Sequence, residues 1–209
     1  MRRLVFIFII ISYQGFGQAT KNLHPTLGQL IDLSPEGEKQ YKKPEGIDLG
    51  YYDFLTFPFY DTKVSSSSEL DADTISYSAE NVFDISYKTA WIEGVKGHGI
   101  GEHVIIELPA DLPITSLVFV GGFIRSATLW KEYSRPKTLE MFVNNKLFAI
   151  LNLMDTRQEQ CFKFDKRDWS KFSTDIWVIK FKIADIYAGD KYDRTALTAI
   201  YLGGCNTDR

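Results

Sequence analysis

Residues 176–183 read IWVIKFKI, and this alternation constrains the fold more than any other feature of the chain. Trp177, Ile179, Phe181 and Ile183 fall on one face of an extended backbone, and Lys180 and Lys182 fall on the other. A period of two marks a strand with one wet face. Other short apolar runs follow: HVIIEL at 103–108, ITSLVFVGGF at 114–123, TLEMFV at 138–143, LFAILNL at 147–153, CFKF at 161–164 and ALTAIYL at 196–202. TLEMFVNNKLFAILNL reads as a hairpin turning at Asn144-Asn145. No stretch beyond residue 80 keeps a helical period of 3.6. Short strands joined by polar turns, without helices, predict an all-β, antiparallel sandwich. Eight strands are expected between about residues 60 and 203, with Trp91, Val104, Ile106, Leu117, Phe119, Phe142, Phe162, Trp177 and Ile179 in the core.

The glycine-rich GHGIGE at 97–102 raises the question of a phosphate-binding loop. Such a loop needs G-x-G-x-x-G opening a helix, whose N-terminus holds the phosphate. Here the third glycine comes one residue early and a β-branched run follows. The segment therefore reads as a bend feeding a strand, with glycine permitting close backbone approach. His98, Glu102 and His103 bear zinc-ligand side chains, but the bend separates them, and they read as surface loop residues.

Residues 1–19 have the pattern of a secretory signal: Arg2 and Arg3, then eight apolar residues from Leu4 to Ile11, then small and polar residues. The run is too short to span a bilayer, which takes about 20 apolar residues. The expectation is an exported protein of the periplasm, cell surface or medium, with no membrane span once the signal is removed. Removing the signal also removes two arginines and no acid, which makes the formal charge of −3 more negative. An acidic chain gives no reason to expect nucleic-acid binding.

Residues 20–59 read as a partly irregular extension ahead of a domain at 60–206. LGQLIDL at 27–33 reads as one or two helical turns with no core of its own, and Ser65–Ser68 reads as a turn or linker. YYDFLTFPFY at 51–60 reads as a first strand or as a sticky segment packed on the domain. The chain has two cysteines, Cys161 and Cys205. Outside the cytosol they can pair and pin the tail; two separate thiols are the alternative.

Several motifs stand in a particular order: SSSEL, AENVFD, TAWIEGVKGHGIGEHVIIEL, GGFIRSATLWKEYSRPKTLEMFVNN, LMDTRQEQ and IADIYAGDKYDRTAL. Together, from about Val64 to Gly203, they resemble the NADase-type glycan-binding domain, which is related to discoidin and coagulation factor 5/8 C-terminal domains. The resemblance implies a galactose-binding-like jelly roll that binds and does not catalyse. The residues between signal and domain are too few for a separate catalytic domain, and no Ser-His-Asp order, nucleophile elbow or carboxylate pair stands out.

The implied function is a secreted, noncatalytic carbohydrate-binding module whose partner is a glycan or glycoconjugate. The alternative is a protein-interaction or adhesion module of the cell envelope that uses the same loops. Sugars are held by an aromatic platform and by polar groups that reach adjacent hydroxyls. LWKEYSR and IYAGDKYDRT offer both, which makes Arg125, Trp130, Tyr133, Arg135, Tyr187, Tyr192 and Asp193 the candidate glycan-binding residues. Trp91 reads as core or as a stacking ring. Asp84 is the candidate metal ligand, for a structural calcium, or else the cap of its own turn. Related folds carry a late glutamate as a calcium ligand where this chain has Ala199, so no cofactor is expected.

Overall fold

The structure, a computed structural model, describes residues 20–33, 62–72, 74–84, 86–110, 114–169, 171–172 and 174–203. The predicted signal, the aromatic stretch 51–60 and Cys205 lie outside these residues.

Among the described residues, eleven strands form two facing sheets. The first sheet contains β1 (Lys21–Leu23), β8 (Lys146–Asn152), β7 (Arg135–Val143), β10 (Ile176–Tyr187), β5 (His103–Pro109) and β3 (Lys63–Ser66), in that order across the sheet. The second contains β2 (Thr26–Leu30), β9 (Gln158–Lys163), β6 (Ser116–Gly121), β11 (Ala196–Leu202) and β4 (Trp91–Ile92). Helix is confined to short pieces, including α1 (Ala127–Glu132) and α2 (Lys166–Trp169).

The alternation of IWVIKFKI is realised in β10. Trp177, Ile179, Phe181 and Ile183 are buried, while Lys180 and Lys182 are half-exposed on the other face. Between the sheets, Phe119 of β6 meets the rings of Phe162 and Phe181 edge-on, with centroids 5.8 and 5.1 Å apart. Trp91 is core, and its indole N–H donates to the Ser68 carbonyl at 2.8 Å. The hairpin turns where predicted: Asn144 and Asn145 take φ values of 49° and 63°, the left-handed pair of a type I′ turn. The glycine-rich bend also forms, with φ of 101°, 67° and 98° at Gly97, Gly99 and Gly101, and it leads into β5.

Five expectations need correction. Phe142 is only half-buried, because Leu139, Met141 and Val143 set the inward parity of β7; its ring lies under Lys180 at 4.6 Å instead. Among the described residues, 60–203 hold nine strands and not eight, and residues 21–30 add an edge strand to each sheet, eleven in all. Leu27–Leu30 of LGQLIDL are therefore strand and not helix, and Ile31, just beyond, is fully buried against Val120, Ile124, Ala199 and Tyr201. The first sheet is not purely antiparallel, since β1 runs parallel to β8. Finally, Ser65 and Ser66 belong to β3, and only Ser67 and Ser68 lie beyond it, with both hydroxyls donating to Glu102.

Candidate functional site

Strands β5, β7 and β11 begin, and β4, β6 and β10 end, at the same end of the sandwich. The loops 93–102, 122–134 and 188–195 therefore meet there. The middle loop contains α1, whose N-cap Ser126 accepts the Leu129 N–H at 3.1 Å. The third loop closes the other end of the same helix: the N–H groups of Asp190, Lys191 and Tyr192 donate to the carbonyls of Lys131 and Glu132. Gly189 makes that approach possible, since a Cβ there would sit 2.4 Å from the Glu132 carbonyl oxygen.

This corner gathers Trp130, Tyr133, Arg135, Tyr187 and Tyr192, but it uses them differently. Arg135 is buried. Its Nε and Nη2 donate to the two Asp155 oxygens at 2.7 and 3.1 Å, and its Nη1 donates to the carbonyls of Trp130 and Tyr133 at 2.9 and 3.0 Å. Its guanidinium carbon lies 4.4 Å from the Trp130 ring centroid. Gly122 (φ 82°) leaves room for this stack, as a Cβ there would come within 2.7 Å of both side chains. Arg135 is thus spent on holding the loop.

Tyr133 is buried as well. Its ring lies 4.5 Å from that of Tyr192 and 5.9 Å from that of Phe123, and burial, with Tyr77 and Tyr192 adding to it, pushes its pKa up to about 12. Tyr187 is half-buried, and its hydroxyl donates to the Leu153 carbonyl at 3.1 Å. Of the candidates, Trp130 and Tyr192 are half-buried, the Trp130 indole N–H being sealed without a partner, and Arg125 and Asp193 are exposed. Lys191 lies over the Tyr192 ring at 4.7 Å and pairs with Glu132 at 3.1 Å.

Sequence reasoning passed over three residues that tie the loops together: Glu93, Thr195 and Ser134. Glu93 is fully buried and accepts the N–H groups of Val95 at 2.8 Å and Thr195 at 3.1 Å. Burial pushes its pKa up, against the lowering effect of those two hydrogen bonds. Gly99 packs so tightly on it that a Cβ would lie 2.5 Å from Glu93 Cγ. The Thr195 hydroxyl donates to the His98 carbonyl at 2.7 Å, and His98 Nδ1 lies 2.9 Å from Ser134 Oγ. The available signal was an acid set directly after two apolar strand residues in WIE, where alternation alone forecasts nothing about partners.

Asp84 belongs to a separate turn. Its two oxygens accept the Ser86 N–H at 2.9 Å and the Thr89 hydroxyl at 2.6 Å. Ala199 is buried in β11 and offers no side-chain oxygen. Among the described residues there is no group of three or more His, Cys, Asp or Glu that could hold a metal ion. Cys161 is buried in β9 and disulfide-bonded. No helix among the described residues is long and apolar enough to cross a membrane.

The family model of the NAD glycohydrolase translocation F5/8 type C domain matches residues 59–203. The chain belongs to this family. No curated protein matches it. Among solved structures, the CBM32-1, CBM32-2 and M60 catalytic domains of Clostridium perfringens ZmpB match at 14% identity and a TM-score of 0.54, over 92% of this chain and 18% of that one. The CBM32-5 module of CpGH89 from the same organism, in complex with GalNAc-beta-1,3-galactose, matches at 14% identity and a TM-score of 0.45, over 68% of this chain and 95% of that one. The family 32 module of C. perfringens NanJ, in complex with galactose, matches at 12% and 0.43, over 68% and 92%. At 14% identity the likeness to the ZmpB structure is one of fold alone.

Proposed function

We propose that this F5/8 type C domain protein is an exported, noncatalytic glycan-binding module whose site is the corner formed by loops 93–102, 122–134 and 188–195. The observation that carries the reading is the seat beneath two half-buried rings, Trp130 and Tyr192. The buried Arg135, paired with the exposed Asp155, and the buried Tyr133 ring fix that seat. Preset aromatic surfaces suit the C–H faces of sugars, because little side-chain entropy is lost on binding. The complexes of the two structural relatives with GalNAc-beta-1,3-galactose and with galactose agree with a glycan ligand.

A glycan array probed with the exported protein tests this. Enrichment on a defined set of glycans, lost in Tyr192→Ala, is the expected result. No enrichment on any glycan, together with capture of an envelope protein through the same loops, would replace the glycan with a protein partner. Turnover of a nicotinamide dinucleotide by the pure protein would overturn the noncatalytic reading.

A further inference from the structure

The family match begins at residue 59, yet β2 and Ile31 lie ahead of it and are built into the sandwich. Phe119 and Ile200 point into the core between the sheets, so Val120, Ala199 and Tyr201 lie on the outer face of the second sheet. Apolar side chains on that face need a cover of their own. Ile31 supplies it: it is fully buried among Val120, Ile124, Ala199 and Tyr201, and Trp130 packs against the same cluster.

Ile31 also fastens backbone. Its N–H donates to the Arg157 carbonyl at 3.1 Å, and the side-chain amide of the next residue, Gln158, donates to the Gly28 carbonyl at 3.0 Å. These bonds tie one end of the 153–157 loop to the segment that follows β1. The buried Gln160 ties the other end, accepting the Met154 N–H at 2.7 Å and donating to its carbonyl at 3.0 Å. Between the two ties stands Asp155, which holds Arg135, and Arg135 lies against the Trp130 ring at 4.4 Å. Ile31 thus reaches Trp130 by two routes, through the apolar cluster and through Asp155 and Arg135.

We infer that Ile31 is a positioning residue of the corner: from outside the family domain, it sets the place of the Trp130 ring. The importance of that ring rests on the glycan reading above, whereas the contacts do not depend on what the corner binds. Removing the Ile31 side chain leaves a cavity into which its neighbours relax only in part. Val120 and Ala199 are held by strand pairing, so the half-buried Trp130 is the neighbour freer to shift. A binding ring whose support moves loses its preset geometry.

The test uses the full chain labelled with nitrogen-15. Two signals report on the corner: the Trp130 indole N–H, assigned through its loss in Trp130→Phe, and the Arg135 Nε–H that Asp155 accepts. Ile31→Ala should move both by more than a line width, and Ile31→Val should move them less in the same direction. Ile114→Ala, a cavity of the same chemistry at the opposite pole, should leave both in place. A folded Ile31→Ala with both signals unmoved, or equal shifts in Ile114→Ala, overturns the inference. If Ile31→Ala does not fold, Ile31→Val decides by the same two signals. Calorimetric titration with galactose adds the binding readout: Ile31→Ala should lose affinity several-fold, and Ile114→Ala should keep it. Unchanged affinity in a folded Ile31→Ala also overturns the positioning role. Absence of heat with the wild type counts against galactose as ligand, and the two signals then decide the positioning role alone.

Discussion

Arg135 stacks its guanidinium on the Trp130 ring at 4.4 Å while closing a two-pronged pair on Asp155. This one side chain joins α1, β7 and the 153–157 loop, and it does so below the surface. Arg135→Met should therefore unseat the corner. Breaking a buried pair costs several kcal/mol, and the partly exposed Asp155 reduces this to about 2–3 kcal/mol. The thermal midpoint should fall by roughly 4–10 °C. A midpoint within one degree or so of wild type would show that the pair contributes nothing.

Trp130 and Tyr192 are expected to divide their roles between binding and support. Tyr192→Ala should weaken glycan binding by roughly 1–3 kcal/mol, with a smaller loss of stability. Trp130→Ala should weaken binding and also cost about 1–2 kcal/mol of stability, because the ring covers Arg135. Binding measured beside chemical denaturation separates the two effects.

Gly99→Ala should destabilise by roughly 1–3 kcal/mol, since φ is 67° there and the added carbon would press on the buried Glu93 side chain. Gly97→Ala should cost less, because its positive φ is its only constraint: nothing lies within 4 Å of the added carbon. Equal midpoints for the two variants would remove Glu93 from the explanation.

Glu93 should impose a pH dependence of definite sign. Its folded-state pKa is raised above the ordinary carboxylate value, chiefly by burial. The folded protein therefore holds this proton more tightly than the unfolded chain. The stability from this group is complete below about pH 4.5 and is lost as pH rises through the folded pKa. Denaturation of wild type and Glu93→Gln from pH 4 to 8 should show wild type losing ground to the variant as pH rises. A constant difference across the series would mean that the carboxylate titrates no differently when folded.

Cys161 is disulfide-bonded, and the pairing proposed for it is with Cys205. Non-reducing peptide mapping should recover the two in one cross-linked fragment. By the loop-entropy relation, closing a loop of this length stabilises by about 4 kcal/mol, with measured values commonly lower. Reduction or Cys205→Ser should lower the thermal midpoint by several degrees. A cross-link recovered only between two chains would replace the pairing with an intermolecular one.

Much of the fold was legible because one physical rule dominates it. A sheet with one face in the core writes a period of two, and β10 follows it without exception over residues 177–183. Phe142 broke the expectation because an aromatic residue satisfies strand propensity on either face, and only its neighbours' parity tells which. The strand at LGQLIDL was hidden because its partners lie some 130 residues downstream, as in the Gln158–Gly28 hydrogen bond, and short edge strands carry little pattern of their own. At the corner, composition correctly gathered the aromatics and arginines of two loops. It did not show that the Arg135 guanidinium is already spent, because that depends on Asp155, which arrives from another loop.

The edge strand β1 has a consequence for how the corner is presented. It runs parallel to β8, with Lys21 opposite Ala149 and Leu23 opposite Leu151, and β8 itself runs from the Asn144-Asn145 turn toward the corner. β1 therefore starts at the far pole of the sandwich and runs toward the corner. A partner that grips that pole leaves the corner with Trp130 and Tyr192 uncovered at the opposite one.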